Sequence, residues 1–179
     1  MLNPRLTALI AIIVGAALSR LIPHPPNATS LTAVALFAGA YVSDKRLAFV
    51  VPLAALFLSD AALGFYQHME VVYATFALIV CIGMALKKRR TPLRIGGAAL
   101  ISSTVFFLIT NFGVWAFGDL YPRTLAGLAE CYVLALPFFQ HTVVGDLFYT
   151  AILFGGFVLL ERRISALHEP RWRAASLSE

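Results

Sequence analysis

The chain has 179 residues, of which 60% are hydrophobic and 13% charged, with a mean hydropathy of +0.82. That is far too apolar for a water-soluble domain of this length, and it predicts an all-α integral membrane protein in contact with membrane lipid. The net charge of +5 would point to nucleic acid in a soluble chain, but around membrane spans basic residues set topology, so no nucleic-acid partner is expected.

Residues 6–19 are uncharged and follow Arg5. Ala17-Leu18-Ser19 has the look of a signal-peptide cleavage site, but signal peptides belong to secreted chains and everything downstream here is apolar, so the segment is read as a retained first helix. Pro23, His24, Pro25, Pro26 and Asn27 form an extended turn that no helix crosses. Residues 30–43 are rich in Ala and Gly. As a helix they reach only about 21 Å, short of the roughly 30 Å hydrocarbon core, which predicts a short or tilted helix among others.

Ser43, Asp44, Lys45 and Arg46 make a charged turn, and residues 47–63 form a third span with Asp60 near its far end, free to hydrate there. Gln67, His68, Met69 and Glu70 make the next loop. Residues 71–86 form a fourth span, stopped by Lys87, Lys88, Arg89, Arg90 and Pro92, and residues 95–117 a fifth, ended by Gly118 and Asp119. Thr124 caps a short helix over 125–136 that Pro137 terminates, and residues 141–160 make the sixth span. Arg162 and Arg163 close it, so 1–161 reads as one six-helix transmembrane domain and 162–179 as a polar, frayed tail.

With six spans and a cytoplasmic start, all of the 14 Lys and Arg residues except Arg20 and Arg123 fall on cytoplasmic segments. This is the asymmetry the positive-inside rule demands, and it predicts an inner-membrane protein with both termini cytoplasmic. A full span over 125–136 would push the Arg-rich tail outside, so that segment is read as an interfacial or re-entrant helix.

The same map brings Asn27, Asp60, His68, Asn111, Trp115, Tyr121, Arg123, Gln140, His141 and Asp146 to similar depth on the outer side. Ionisable residues at membrane depth are costly unless paired or wetted, so these predict a ligand-binding cavity open to the outside. Thr142, Asp146, Tyr149 and Thr150 share one helix face, as do Asn111 and Trp115. Trp115 and Tyr121 also suit an interfacial aromatic belt, and Asp146 an interhelical hydrogen bond.

Cys81 and Cys131 lack CxxC spacing, so neither a disulfide framework nor a zinc knuckle is indicated. Cys81, near the end of its helix, reads as a buried small hydrophobe. His24, His68 and His141 show no HxH or HExxH spacing. There is no GxxxxGK[ST] phosphate loop and no GxSxG elbow. Val143-Val144-Gly145-Asp146 lacks the first Gly of a GxGD motif, and no inverted repeat of broken helices is evident. No catalytic or nucleotide-binding motif marks an enzyme. A structural or assembly protein, or an unrecognised membrane enzyme, is the alternative to a binding component.

The PHPPN turn, the LSDAALGFY end of the third span, FFLITNFGVW, and YPRTLAGLAECYVLALPFFQHTVVGDLFY together resemble a family of small bacterial membrane proteins. That family is similar to the substrate-binding S components of energy-coupling factor vitamin transporters. The resemblance implies a component that captures a vitamin or related micronutrient in an outer cavity and docks to a separate energising transmembrane subunit with ATPases. Docking would use small residues on the first helix, here Ala8, Ala11, Gly15 and Ser19. No intrinsic cofactor is implied. If the bound vitamin is cobalamin, the Cys131 thiolate is the candidate cobalt ligand, with His141 or His68 second.

Overall fold

The computed structural model describes residues 3–21 and 29–168. Among these residues the fold is all-helical: α1 (Pro4–Leu18), α2 (Leu31–Tyr41), α3 (Lys45–Leu63), α4 (Met69–Ala85), α5 (Pro92–Phe117) and α6 (Leu125–Arg163), with single 3-10 turns after α1 and α6. Of these, α3, α5, α6 and α1 with its 3-10 turn are long and apolar enough to cross a membrane. The PHPPN turn, including Asn27, lies outside the described residues.

The helix starts follow local chemistry. Asn3, Asp44, Thr91 and Thr124 each cap a helix by accepting a hydrogen bond from a backbone N–H of the first turn. Such a cap satisfies donors that the helix itself cannot. Pro4 and Pro92 occupy first-turn positions, where their missing N–H costs nothing.

The short α2 is the hub. All of its 11 residues are buried, and it packs against each of the other five helices. A helix that is apolar all round has no face for water, and this one is too short to reach across a bilayer, so the interior is its stable place. Its closest neighbour is α4. Gly39 faces Gly83 so closely that a Cβ on Gly39 would come within 2.9 Å of the Gly83 Cα. Phe37 and Tyr41 interleave with Phe154 and Phe157 of α6, with ring centroids 4.8–5.6 Å apart.

On α1 a buried stripe of Arg5, Leu9, Ile13 and Ala17 recurs every turn and meets the bundle. Elsewhere the flanks are apolar and exposed: Val50, Leu58, Leu100, Phe112, Val144 and Ile152 all lie on the outside. Such a surface suits lipid contact.

Four expectations are corrected. Pro137 does not end a helix: α6 runs unbroken for 39 residues with Pro137 inside it, so 125–136 is no separate interfacial or re-entrant helix. One Pro removes a single N–H, and long apolar helices tolerate this where packing holds both halves in line. At about 58 Å, α6 exceeds a roughly 30 Å hydrocarbon core. Cys81 is exposed on the outer face of α4, because the face of that helix turned toward α2 carries Thr75, Ile79 and Gly83 instead. Asp60 is fully buried rather than hydrated, because it finds a cation, as described below. The start of the tail is not frayed. Leu167 is buried, and its carbonyl accepts from the Arg5 guanidinium, which also pairs with Glu161 and lies 5.3 Å from the Phe157 ring.

Candidate ligand site

The polar residues that sequence spacing places at one depth fall into distinct clusters. At the end of the bundle where α1 and α3 finish, the Arg20 guanidinium pairs with Asp60 and donates to Ser59 Oγ at 3.1 Å. The Tyr73 hydroxyl donates to the other Asp60 oxygen at 2.9 Å. Tyr66 stands near Asp60, in the loop after α3. Burial, and then the Asp60 charge beside it, push its phenol up to about 12. Both carboxylate oxygens are therefore occupied, which makes Asp60 a tie between the 3-10 turn after α1, α3 and α4.

Asp146 is different. It lies mid-way along α6, is 1% exposed, and has no ion-pair partner among the described residues. Its neighbours are hydroxyls: Ser103 Oγ of α5 at 2.6 Å and the Thr32 hydroxyl of α2. Ser103 Oγ is also 3.0 Å from the Ala99 carbonyl oxygen. A hydroxyl has one hydrogen for these two acceptors. When it donates to Asp146, the acid is served as a carboxylate. When it donates to Ala99, a protonated Asp146 can donate to Ser103 instead. The same geometry thus accommodates the carboxyl with or without its proton.

Thr142, Asp146 and Thr150 follow one another at single-turn spacing along the buried face of α6. A cavity of about 60 Å³ lies one turn from Asp146 toward the start of α6, lined by Phe106, Phe107, Thr110, Asn111, Phe139 and Thr142 among others. Its threonines and Asn111 bond their own helix backbone, at 2.7 Å from Thr110, 2.8 Å from Asn111 and 3.1 Å from Thr142. A larger groove reaches Thr150 from the opposite end. Thr150 Oγ1 and Ser102 Oγ are buried with no hydrogen-bond partner.

The remaining expected site residues lie apart from this seam. Trp115 Nε1 donates to the Pro122 carbonyl at 3.0 Å and so braces the α5–α6 loop. Tyr121 in that loop is half-buried, while Arg123, Gln140 and His141 are exposed. His68 has φ 58°, stacks on Phe117 with centroids 5.8 Å apart, and places Nδ1 at 3.5 Å from Glu70. Cys131 is buried and its thiol donates to the Asn111 carbonyl at 3.4 Å. It does not line the small cavity, so α5 and α6 would have to part before a corrinoid could reach it. Among the described residues no cluster of three His, Cys, Asp or Glu side chains could hold a metal.

Sequence reasoning missed Ser103, Thr32, Arg20 and Tyr73 as partners. The one available signal was Ser102-Ser103 interrupting the apolar run of α5, since hydroxyls at membrane depth serve as bonds between helices.

Comparison with curated proteins and with solved structures gives no match. Comparison with protein families matches residues 1–167 to a family of unknown function, DUF6580. With nearly its whole length matched, the chain belongs to that family.

Proposed function

We propose that the chain is a membrane-embedded binding and uptake component for a small polar micronutrient, of the same kind as the S components it resembles. The observation that carries this reading is Asp146. An ionisable side chain held among hydroxyls in the middle of a long apolar helix, one turn from a cavity, is expensive to keep at that depth and marks a ligand or ion pathway. About 60 Å³ is room for one or two waters. In this reading the bundle is therefore closed, and α5 and α6 part to admit a larger ligand between Asn111, Thr142 and Asp146.

Six passes with both termini in the cytoplasm belong to this scheme, with the short α2 making its pass inside the bundle, surrounded by the other helices rather than by lipid. The α4–α5 loop and the end of α6 then share the cation-rich side, with Arg20 on the other side neutralised by Asp60. Labelling of cysteines introduced at Lys88 and Arg163 should show both on the cytoplasmic face. Opposite faces would remove the scheme. Docking to an energising subunit would use the outer face of α1, where Ala11 and Gly15 are exposed and a Cβ on Gly15 meets nothing within 4 Å.

The test is to purify the protein and identify a co-purified small molecule by mass spectrometry, in parallel with Asp146→Asn. The amide keeps the size and most of the hydrogen bonds but cannot carry charge. Expected is a folded variant with at least about tenfold weaker binding, as the loss of one hydrogen bond to a charged group implies. The second reading, a purely structural tie, rests on the bond from Ser103, which already joins α5 to α6, with Thr32 of α2 beside the same carboxyl. It predicts that Asp146→Asn lowers stability and leaves no binding function to lose.

A further inference from the structure

We propose that the groove between the first half of α5 and the last half of α6 holds one acyl chain of an anionic phospholipid, with the lipid phosphate between Arg90 and Arg162. The groove has a volume of about 590 Å³ and is walled by Ile95, Leu147, Ala151, Phe154 and Val158. It exists because side chains are missing there: a Cβ added at Gly96 or Gly155, both in its wall, meets nothing within 4 Å. A hydroxyl lies in its wall one turn short of the deep end at Leu147: Thr150 Oγ1, buried and without a partner.

The charge lies at one end only. Arg162 is in the last turn of α6 and Arg90 just before α5, where its guanidinium rests 4.5 Å from the Tyr41 ring centroid. Lys87, Lys88, Arg89, Arg94 and Arg163 lie within four residues of one or the other in sequence. From Arg162 to Thr150 is 12 residues of helix, about 18 Å, close to half of the roughly 30 Å hydrocarbon core. An apolar slot the depth of one leaflet, topped by two guanidiniums, matches a lipid with an anionic head. A soluble anion would use the arginines and leave the slot empty. The groove is separate from the small cavity beyond Asp146, so the two proposals stand or fall independently.

The protein would be purified in detergent and exchanged into nanodiscs of phosphatidylglycerol, phosphatidylcholine or an equal mixture, and retained lipid measured by native mass spectrometry. Expected is a preference of about thirtyfold for phosphatidylglycerol, the scale set by two arginines at a membrane surface. Arg162→Gln should reduce that preference severalfold. Gly155→Leu, which fills open space, should abolish retention of either lipid in the groove. Both substituted sites are exposed, and an unchanged thermal transition would show that each variant is folded. Equal retention of the two headgroups overturns the proposal, as does unchanged retention in either folded variant. Displacement of the lipid by inorganic phosphate at equal concentration would reassign the arginines to a free anion and also overturn it.

Discussion

Gly39→Leu is expected to yield no folded protein, and Gly39→Ala to destabilise it by about 3 kcal/mol, the upper part of the overpacking range. Two effects oppose one another. Replacing a mid-helix Gly by Ala gains about 1 kcal/mol in helix propensity. Against that, the new methyl must enter a gap where the Val80 carbonyl, the Gly83 Cα and the Met84 nitrogen already press on the site. These atoms are backbone, so no side chain can swing aside and the two helices must separate. Since α2 touches all five other helices, separation at this crossing is felt throughout the bundle. Gly83→Ala should behave alike, because its added Cβ would lie 3.0 Å from the Gly39 Cα. Gly15→Ala should do the reverse and stabilise by up to about 1 kcal/mol, since nothing lies within 4 Å of that position. Thermal unfolding in detergent checks all three. A neutral Gly39→Ala would show that α2 and α4 are farther apart than described.

The second large effect is expected at Asp60. Asp60→Ala should cost about 3–5 kcal/mol, the range for breaking a buried ion pair by removing one partner. Arg20 keeps 18% exposure while the carboxylate has none, so the loss arises mainly from stranding a mostly buried cation. Tyr73 also loses the acceptor that holds it. The double replacement Arg20→Met with Asp60→Leu should recover most of the stability, because no charge is left unpaired. The unfolding midpoints of the two variants decide the matter. A cost below about 1 kcal/mol for Asp60→Ala would place the pair in the screened, surface class.

Neither large effect concerns Asp146, which separates the architecture from the proposed site. Substitutions at Gly39, Gly83 and Asp60 act on how the bundle holds together. Asp146→Asn is expected to leave the bundle standing and to change only what it binds.

By itself the sequence determined the all-helical class and most of the helices. Runs of apolar residues bounded by Pro, Gly and charges require helices that hide their backbone polar groups, and the shortness of 30–43 marked it as an inner element. These are local properties, set within a turn or two of chain. The partners were beyond it, because they join residues far apart: Asp60 meets Arg20, Asp146 meets Ser103 and Thr32, and Gly39 meets Gly83. Sequence placed Asp60 and Asp146 on one face at one depth. Depth along a helix does not say which way its side chain turns, and the packing sent each to a different cluster. Pro137 shows the same limit. Its missing N–H is a local fact, but whether the helix ends there depends on what holds both sides in line, and only the tertiary structure decides that.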